Sequence, residues 1–561
     1  MKKTFKIYAL VLGIALSASS CSKEYLQTTP DNMIETSSVF STIDGAEAAV
    51  NGLCRLMTTK YTYADAGLNG EGSLLLYYGN YPGNNFQKCN YTSSSGLMNA
   101  SYHMLLDSVY DYYPWSYYYR LILNANMIFE NLDKLDEKQY GPQKSFIKAQ
   151  ALVIRAYSYF RLSELYCNRW VDTKPKKGEG WEYKEGNEVK YWEDYGGAQG
   201  VPLRLDTSRG DLACCALFQL KNQIYKDLEE AISRFKMCGI DRNPIEYFKP
   251  NINVAYGVFA RAALTYQDFK KAAEMAHLAR QGYKLMDNDE YMNGGFNKAN
   301  KEWIWGTYDA IDQNLGGNSF FNYMSSNGSG NYCRTYPSAI SKELYEKIPE
   351  TDIRAKLFLK PTEEECLAEN GFDINTGRST GMLAERAKKE YKDKLYWDSY
   401  DGTLMSNIYI YMQFKFQCTH LPGVGSVCIM RAAEMCYIEA EALCEIGGHD
   451  AEVQEILNEL NAERDPAYRC TSTANLLKEE VFTYKCIDLW GEGFDWFDYK
   501  RKNLAINRVD IASGGSFHEV FKINIQPSGR NKWTWVIPRK ETDYNKLVVA
   551  VGETDEDIVD D

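Results

Sequence analysis

Histidine is scarce in this 561-residue chain, with five residues scattered at positions 103, 277, 420, 449 and 518. That scatter argues against a nucleophilic triad built on histidine. Cysteine motifs are missing too. Fifteen cysteines occur without a single CxxC, and the 14 that remain once Cys21 is set apart form no even framework. Neither a disulfide scaffold nor a zinc centre is expected, and nothing points to a cofactor. Cys436 and Cys444, eight apart on an apolar helical face, read as small core residues. The vicinal Cys214 and Cys215 lack the histidine or second cysteine pair that ligation needs. Past the N-terminus no segment approaches the ~20 uncharged apolar residues that cross a bilayer. No Pro/Ser-rich linker or low-complexity stretch marks a boundary, so one large domain or two intimately packed halves is expected. Positive charge is also in deficit, with 63 Lys and Arg against 76 Asp and Glu. The net charge of -13 becomes -16 without Lys2, Lys3 and Lys6, a surface that disfavours nucleic acid and anionic lipid as partners.

The N-terminus is present in a particular form. Three lysines precede a short apolar run from Ile7 to Ala18, about half of a membrane span, which reads as a secretory signal over residues 1–20. Ala18, Ser19 and Ser20 then lead into Cys21, a pattern that resembles the lipobox of bacterial lipoproteins, whose cysteine is acylated and becomes the first mature residue. Two or three acyl chains would hold the protein on a membrane, because each buried methylene contributes about 0.8 kcal/mol.

Aromatic residues are abundant: 43 Tyr, 23 Phe and 11 Trp. Some follow a helical period, as Tyr159, Leu162 and Tyr166 do in "RAYSYFRLSELY", and belong to a core. Others crowd Gly/Asn-rich segments, "LLLYYGNYPGNNFQKCNY" and "NLGGNSFFNYMSSNGSGNY", where no helical period claims them. Rings on loops either pack underneath or meet a ligand.

The helical part has an internal rhythm. "AALTYQDFKKAAEMAHL" and "EALCEIGGHDAEVQEIL" share a skeleton, Ala263, Leu264, Ala272 and Leu278 against Ala442, Leu443, Ala451 and Leu457. Small residues where two antiparallel helices approach across a polar turn suit a tetratricopeptide-like hairpin; a chance likeness between two amphipathic hairpins is the alternative. Two acidic stretches were weighed for chemistry. "WGEGFDWFDYKR" sets Glu492, Asp495 and Asp498 beside Trp490 and Trp496, but a glycosidase needs its carboxyls on opposite sides of a bond. Helix capping and ion pairs with Lys500, Arg501 and Lys502 account for the cluster, and no catalytic residue is assigned. "DNDEYMNGG" from Asp287 lacks the oxygen ligands and terminal Glu of a calcium loop and reads as a turn; no metal site is expected.

Taken in order, further landmarks resemble one family, the SusD/RagB nutrient-binding lipoproteins of the Bacteroidetes outer membrane. "CSKEYLQTTP" resembles the mature start of its members and "STIDGAEAAVNGLCRLM" their first helix. "WSYYYRLILNANMIFENL", with Trp115, Tyr119, Asn124 and Asn126, resembles the second. "KAQALVIRAYSYFRLSELY" is similar to the helix that runs into a Gly-Asp-Val-Pro-Leu loop. Here Asn168 and Arg169 replace Gly-Asp, and about 30 residues rich in Trp, Tyr and Gly intervene before "GVPLRL". "NKEWIWGTYD", "MRAAEMCYIEAEALCEIG", "LLKEEVFTYKCIDLWGEGFDWFDYKRKN" and "VIPRKETDYNKL" resemble later landmarks in family order.

The resemblance implies a mainly α fold, a tetratricopeptide-like scaffold with a large loop-rich ligand-binding portion. It implies a single domain over 21–561, with family halves of about 21–240 and 250–561. It also implies a non-enzymatic lid on a SusC-like TonB-dependent transporter, capturing a glycan or, in some branches, a peptide. The protein would be lipid-anchored through Cys21 to the outer membrane. Glu24 resembles the surface-export signal, so the extracellular side is expected. A pure protein-interaction scaffold is the remaining alternative. Trp115, Trp303 and Trp305 fall in segments that resemble family core and are assigned to packing. The expected ligand-binding rings are therefore Tyr77, Tyr78, Tyr81 and Phe86, then Trp181 and Trp192 in the insertion, then Phe320, Phe321 and Tyr323. Asn80, Asn84 and Asn318 offer amides to sugar hydroxyls.

Overall fold

The computed structural model describes residues 40–58, 68–90, 95–171, 199–308, 319–527 and 533–548, together with the strand backbone of 181–185 and 188–192. The signal segment, Cys21, Glu24 and Asn318 lie outside the described residues.

Long helices form the scaffold. They are α1 (Ile43–Leu56), α2 (Val109–Leu132), α3 (Glu137–Tyr166), α4 (Leu217–Cys238), α5 (Ile252–Thr265), α6 (Phe269–Arg280), α7 (Ala432–Ile446), α8 (Asp450–Asn461), α9 (Ala474–Asp488) and the short α10 (Asp495–Lys502). Polar residues start many of them. The side chains of Thr42, Ser108, Asp136, Asn251 and Asp268 each accept a backbone N–H of the first turn of α1, α2, α3, α5 and α6, satisfying donors that a helix start leaves without partners. Left-handed Gly239 and Asn503 stop α4 and α10.

From α2 to α8 each helix packs on the next, an array of antiparallel pairs in which α6 meets α7 across an intervening stretch of about 150 residues. The fold is mainly α and tetratricopeptide-like, with the irregular part inserted between two hairpins of the array. Both hairpins suggested by the Ala/Leu skeleton exist, as α5–α6 and α7–α8. Their equivalence is partial, because Ala272 is buried whereas Ala451 is exposed.

Short helices and two-stranded ribbons make up the irregular part. Strand β1 (Phe86–Lys88) pairs antiparallel with β5 (Ser338–Ile340), joining Phe86 to Ile340 and Lys88 to Ser338. Strand β4 (Trp303–Gly306) pairs with β6 (Cys428–Arg431), and β2 (Trp181–Glu185) with β3 (Glu188–Trp192) as a hairpin. Trp115, Trp303 and Trp305 are buried, and their indole N–H groups donate to Glu541, the Gly295 carbonyl and the Phe248 carbonyl. Every described cysteine is a free thiol; Cys436 and Cys444 are buried and Cys214 and Cys215 half-buried. Where α7 begins, Arg431 is 1% exposed and ties Glu302, Asp488 and Glu492 together at 2.7, 3.0 and 2.8 Å. Lys415 adds a second cation, 2.6 Å from Glu492. No described helix is long and apolar enough to cross a membrane.

Candidate functional site

The first Gly/Asn-rich segment begins as a helix. Glu71–Leu74 is α-helical and Leu75–Asn80 continues as a π-helical turn, so Tyr77 and Tyr78 sit on a helix and Phe86 on β1. The turn is buried because distant backbone closes over it. A Cβ on Gly79 would lie 2.1 Å from the Gly493 carbonyl oxygen, a close approach that only glycine permits. Asn80 is fully committed to the same segment: its amide donates to the Gly491 carbonyl and accepts from the Gly493 N–H, both at 2.8 Å.

Tyr78 has a structural partner that the sequence hides. Pro114 lies inside α2 and has no N–H for the Tyr110 carbonyl one turn earlier. The Tyr78 hydroxyl donates to that carbonyl instead, at 2.5 Å. Next along the helix, the Tyr166 hydroxyl accepts from the Trp115 N–H and donates to the Asp111 carbonyl. Two tyrosines thus repair the two helix bonds around the proline. Tyr78→Phe removes the hydroxyl that serves this half-buried carbonyl, and we expect a stability loss of about 1 kcal/mol in urea denaturation, with ligand affinity unchanged.

Other expected residues are equally engaged. Tyr81 stacks on Phe86 at 5.7 Å and Phe86 on Trp490 at 5.3 Å. Phe320 meets Phe321 and Phe416 edge-on. Asn84, half-buried, bonds Tyr499 and the Asn507 N–H. These rings were expected on loops, either packing underneath or meeting a ligand, and the structure buries Tyr81, Phe86, Phe320 and Phe321 in the core. Trp181 and Trp192 stand opposite one another in the β2–β3 register.

Two members of the expected set, Tyr77 and Tyr323, belong to a connected row of tyrosines. Tyr102 and Tyr110 stack at 5.2 Å with ring planes 7° apart. Tyr110 meets the edge of Tyr77 at 6.0 Å, and Tyr77 meets Tyr323 at 5.8 Å, where their side chains share a hydrogen bond. Tyr323 stacks on Tyr332 at 4.7 Å, and Tyr332 reaches Tyr336 at 6.3 Å. The middle of the row is buried, whereas Tyr102, Tyr110, Tyr332 and Tyr336 are half-buried. Burial pushes the Tyr77 phenol well above its ordinary value and that of Tyr323 up to about 12, so both stay neutral. Half-buried Asn90, whose amide donates to the Tyr409 hydroxyl, and Arg334, on the same short helix as Tyr332, add polar groups. The Arg334 Nε is itself buried from solvent and has no hydrogen-bond partner among the described residues. Such a row leaves its end rings half-buried on either side of a buried centre, where parts of them can meet a ligand.

Sequence reasoning did not single out Tyr102, Tyr110, Tyr332, Tyr336 or Arg334. Tyr332 closes the later Gly/Asn-rich segment, a signal that was present.

The acidic cluster is spoken for within the fold. Glu492 pairs with Arg431 and Lys415, and Asp498 with Lys485 and Arg501. Asp495 accepts from the Asn85 N–H and amide, and burial pushes its carboxyl up to about 7. Arg501 pairs as expected; Lys502 pairs with Glu441, and Lys500 donates to the carbonyls of Glu164 and Cys167. Asp287 and Glu290 form a capping box on a one-turn helix, with Lys301 paired to both. No group of acidic, histidine and cysteine side chains able to hold a metal occurs among the described residues.

A SusD-like model described as "Starch-binding associating with outer membrane" matches residues 24–264, and the SusD_RagB model, described as "SusD family", matches residues 322–550. No curated protein matches the chain. Among solved structures, a SusD-like carbohydrate binding protein from Bacteroides vulgatus is 20% identical with a TM-score of 0.67, covering 90% of this chain and 97% of its own. A SusD superfamily protein from Bacteroides thetaiotaomicron is 19% identical with a TM-score of 0.68, covering 91% and 100%. A laminarin binding SusD-like protein is 17% identical with a TM-score of 0.59, covering 91% and 98%. At these identities the structures establish the fold, and the two models, spanning both halves in order, establish the family: this chain belongs to the SusD/RagB family.

Proposed function

We propose that the protein is a glycan-binding lipoprotein of the outer membrane that takes its ligand on the tyrosine row and passes it to a SusC-like TonB-dependent transporter. The observation that carries the binding reading is one connected row whose buried centre, Tyr77 and Tyr323, joins two half-buried ends, Tyr102 with Tyr110 and Tyr332 with Tyr336. Flat rings cover the apolar faces of sugar residues, and amide and guanidinium groups reach the hydroxyls between them. The family match, whose first model is described as starch-binding, and the laminarin binding neighbour support a saccharide. The ligand would be bound and handed on unchanged, a reading that rests on the family match.

The test is a screen of the soluble protein lacking residues 1–21 against polysaccharides and peptides, read by intrinsic fluorescence. Saturable binding of one polysaccharide class is expected; binding of peptides alone overturns the glycan reading in favour of a peptide lid. Anchoring is tested separately. Cys21→Ala is expected to leave the protein in the soluble or unprocessed fraction, since no described helix can span a bilayer. The parent, extracted in mild detergent, is expected to bring a TonB-dependent barrel with it. A processed Cys21→Ala protein that still sediments with membranes, or a parent recovered alone, counts against the corresponding half of the reading.

A further inference from the structure

Lys88 is a buried cation, 1% exposed, in the middle of the irregular part. No carboxylate pairs with it among the described residues. Its ammonium donates to the Tyr323 carbonyl at 2.6 Å and to the Ser338 hydroxyl at 3.1 Å. Ser338 is its cross-strand neighbour in the β1–β5 ribbon. Tyr323 lies near the end of the one-turn helix Phe320–Met324, where carbonyls have no helical partner. Gln413 takes the adjacent Met324 carbonyl.

Burying an ammonium without an anion is expensive, and an apolar residue at this strand position would avoid that cost. Stability therefore does not explain the lysine; what it fixes does. The Tyr323 ring stacks on Tyr332 and meets the edge of Tyr77, so the helix that Lys88 holds joins the two half-buried ends of the row. Resting on the glycan-binding reading above, we propose that Lys88 is a positioning residue for the ligand site, its ammonium fixing the Tyr323 backbone so that the Tyr323–Tyr332 stack faces ligand in register with Tyr102 and Tyr110.

The titratable groups acting on Lys88 are the thiols of Cys89, just after β1, and Cys333 on the Asn331–Thr335 helix, and both are pushed up by burial and stay neutral. The Tyr323 phenol stays neutral as well. Burial pulls the ammonium down to about 8, so the pin weakens as pH rises through that value. The parent is expected to lose affinity above about pH 8 by an increment that Lys88→Met lacks; comparing the two profiles removes titrations elsewhere, such as that of Lys500.

The test is a double-mutant cycle with the best saccharide from the screen, using the parent, Lys88→Met, Tyr332→Ala and the double variant, each with its melting curve. Lys88→Met is expected to melt cooperatively, to bind about tenfold or more weakly, and to make Tyr332→Ala much less damaging than it is in the parent. Affinity within twofold of the parent, or strictly additive losses, overturns the inference. Should Lys88→Met fail to fold, Ser338→Ala withdraws one of the two acceptors while keeping the cation. A loss of about threefold or more is then expected, and affinity within twofold again overturns it. A parent that binds no saccharide overturns the glycan reading and this inference with it, whereas a parent that binds beside an equally competent Lys88→Met overturns this inference alone.

Discussion

Arg431→Met is expected to cost about 3–5 kcal/mol of stability, the usual penalty for removing one partner from a buried ionic group. Three carboxylates converge on this guanidinium, from the residue before β4, the end of α9 and the turn after it. Without Arg431 they face one another in the core with no cation bridging all three, since Lys415 pairs with Glu492 and Arg354 acts on Asp488. Burial alone would raise Asp488, but Arg431, Arg354 and Lys415 outweigh it and hold the carboxyl well below its ordinary value; Glu492 is lowered by Arg431 and Lys415 in the same way. A depressed carboxyl contributes stability that is present above its unfolded value of about 4 and lost as pH falls toward the folded one. The parent should therefore weaken in acid through this cluster. In Arg431→Met the orphaned carboxyls gain protons more readily, so its deficit should shrink between pH 7 and pH 5. Urea titrations of both proteins at the two pH values measure this. A variant as stable as the parent at pH 7, or a deficit that grows toward pH 5, contradicts the account.

Tyr332→Ala should weaken saccharide binding by about thirtyfold, or ~2 kcal/mol, because a few aromatic anchors dominate a recognition site. The ring is half-buried, stacked on Tyr323 at 4.7 Å and tilted against Tyr336 at 6.3 Å. It can thus meet ligand without leaving the row. Tyr102→Ala, at the opposite end, is expected to act in the same direction. Titration of folded variants with the best ligand separates these positions from Tyr78, whose hydroxyl serves the helix. If Tyr332→Ala and Tyr102→Ala both bind within twofold of the parent, the ligand does not sit on the row.

Pattern and order carried the sequence reading a long way. Helical spacing in "RAYSYFRLSELY" identified core that is core, with Tyr159, Leu162 and Tyr166 all buried in α3. The Ala/Leu skeleton marked two hairpins that exist, and the succession of landmarks identified the family. Trp115, Trp303 and Trp305 were assigned to packing, and they pack. These features are local: a helix advertises its buried face every three or four residues, and a hairpin its small residues at the crossing.

The site residues were legible only in part, because exposure is not local. Tyr77, Tyr78 and Tyr81 stand in a segment whose glycines and asparagines suggest a loop. Gly491 and Gly493, more than 400 positions away, close over that segment and bond Asn80, and Pro114 gives Tyr78 a carbonyl to serve. Tyr110 and Tyr332, far apart in sequence, become the two accessible stacks of one row because Tyr77 and Tyr323 join them. Sequence alone determined the signal-like N-terminus, the acidic balance, the helical scaffold and the family. Tertiary structure decided which aromatic rings are buried and which reach the surface, because a ring's exposure depends on which distant backbone closes over it, and a glycine-rich stretch packs as tightly as any other once that backbone arrives.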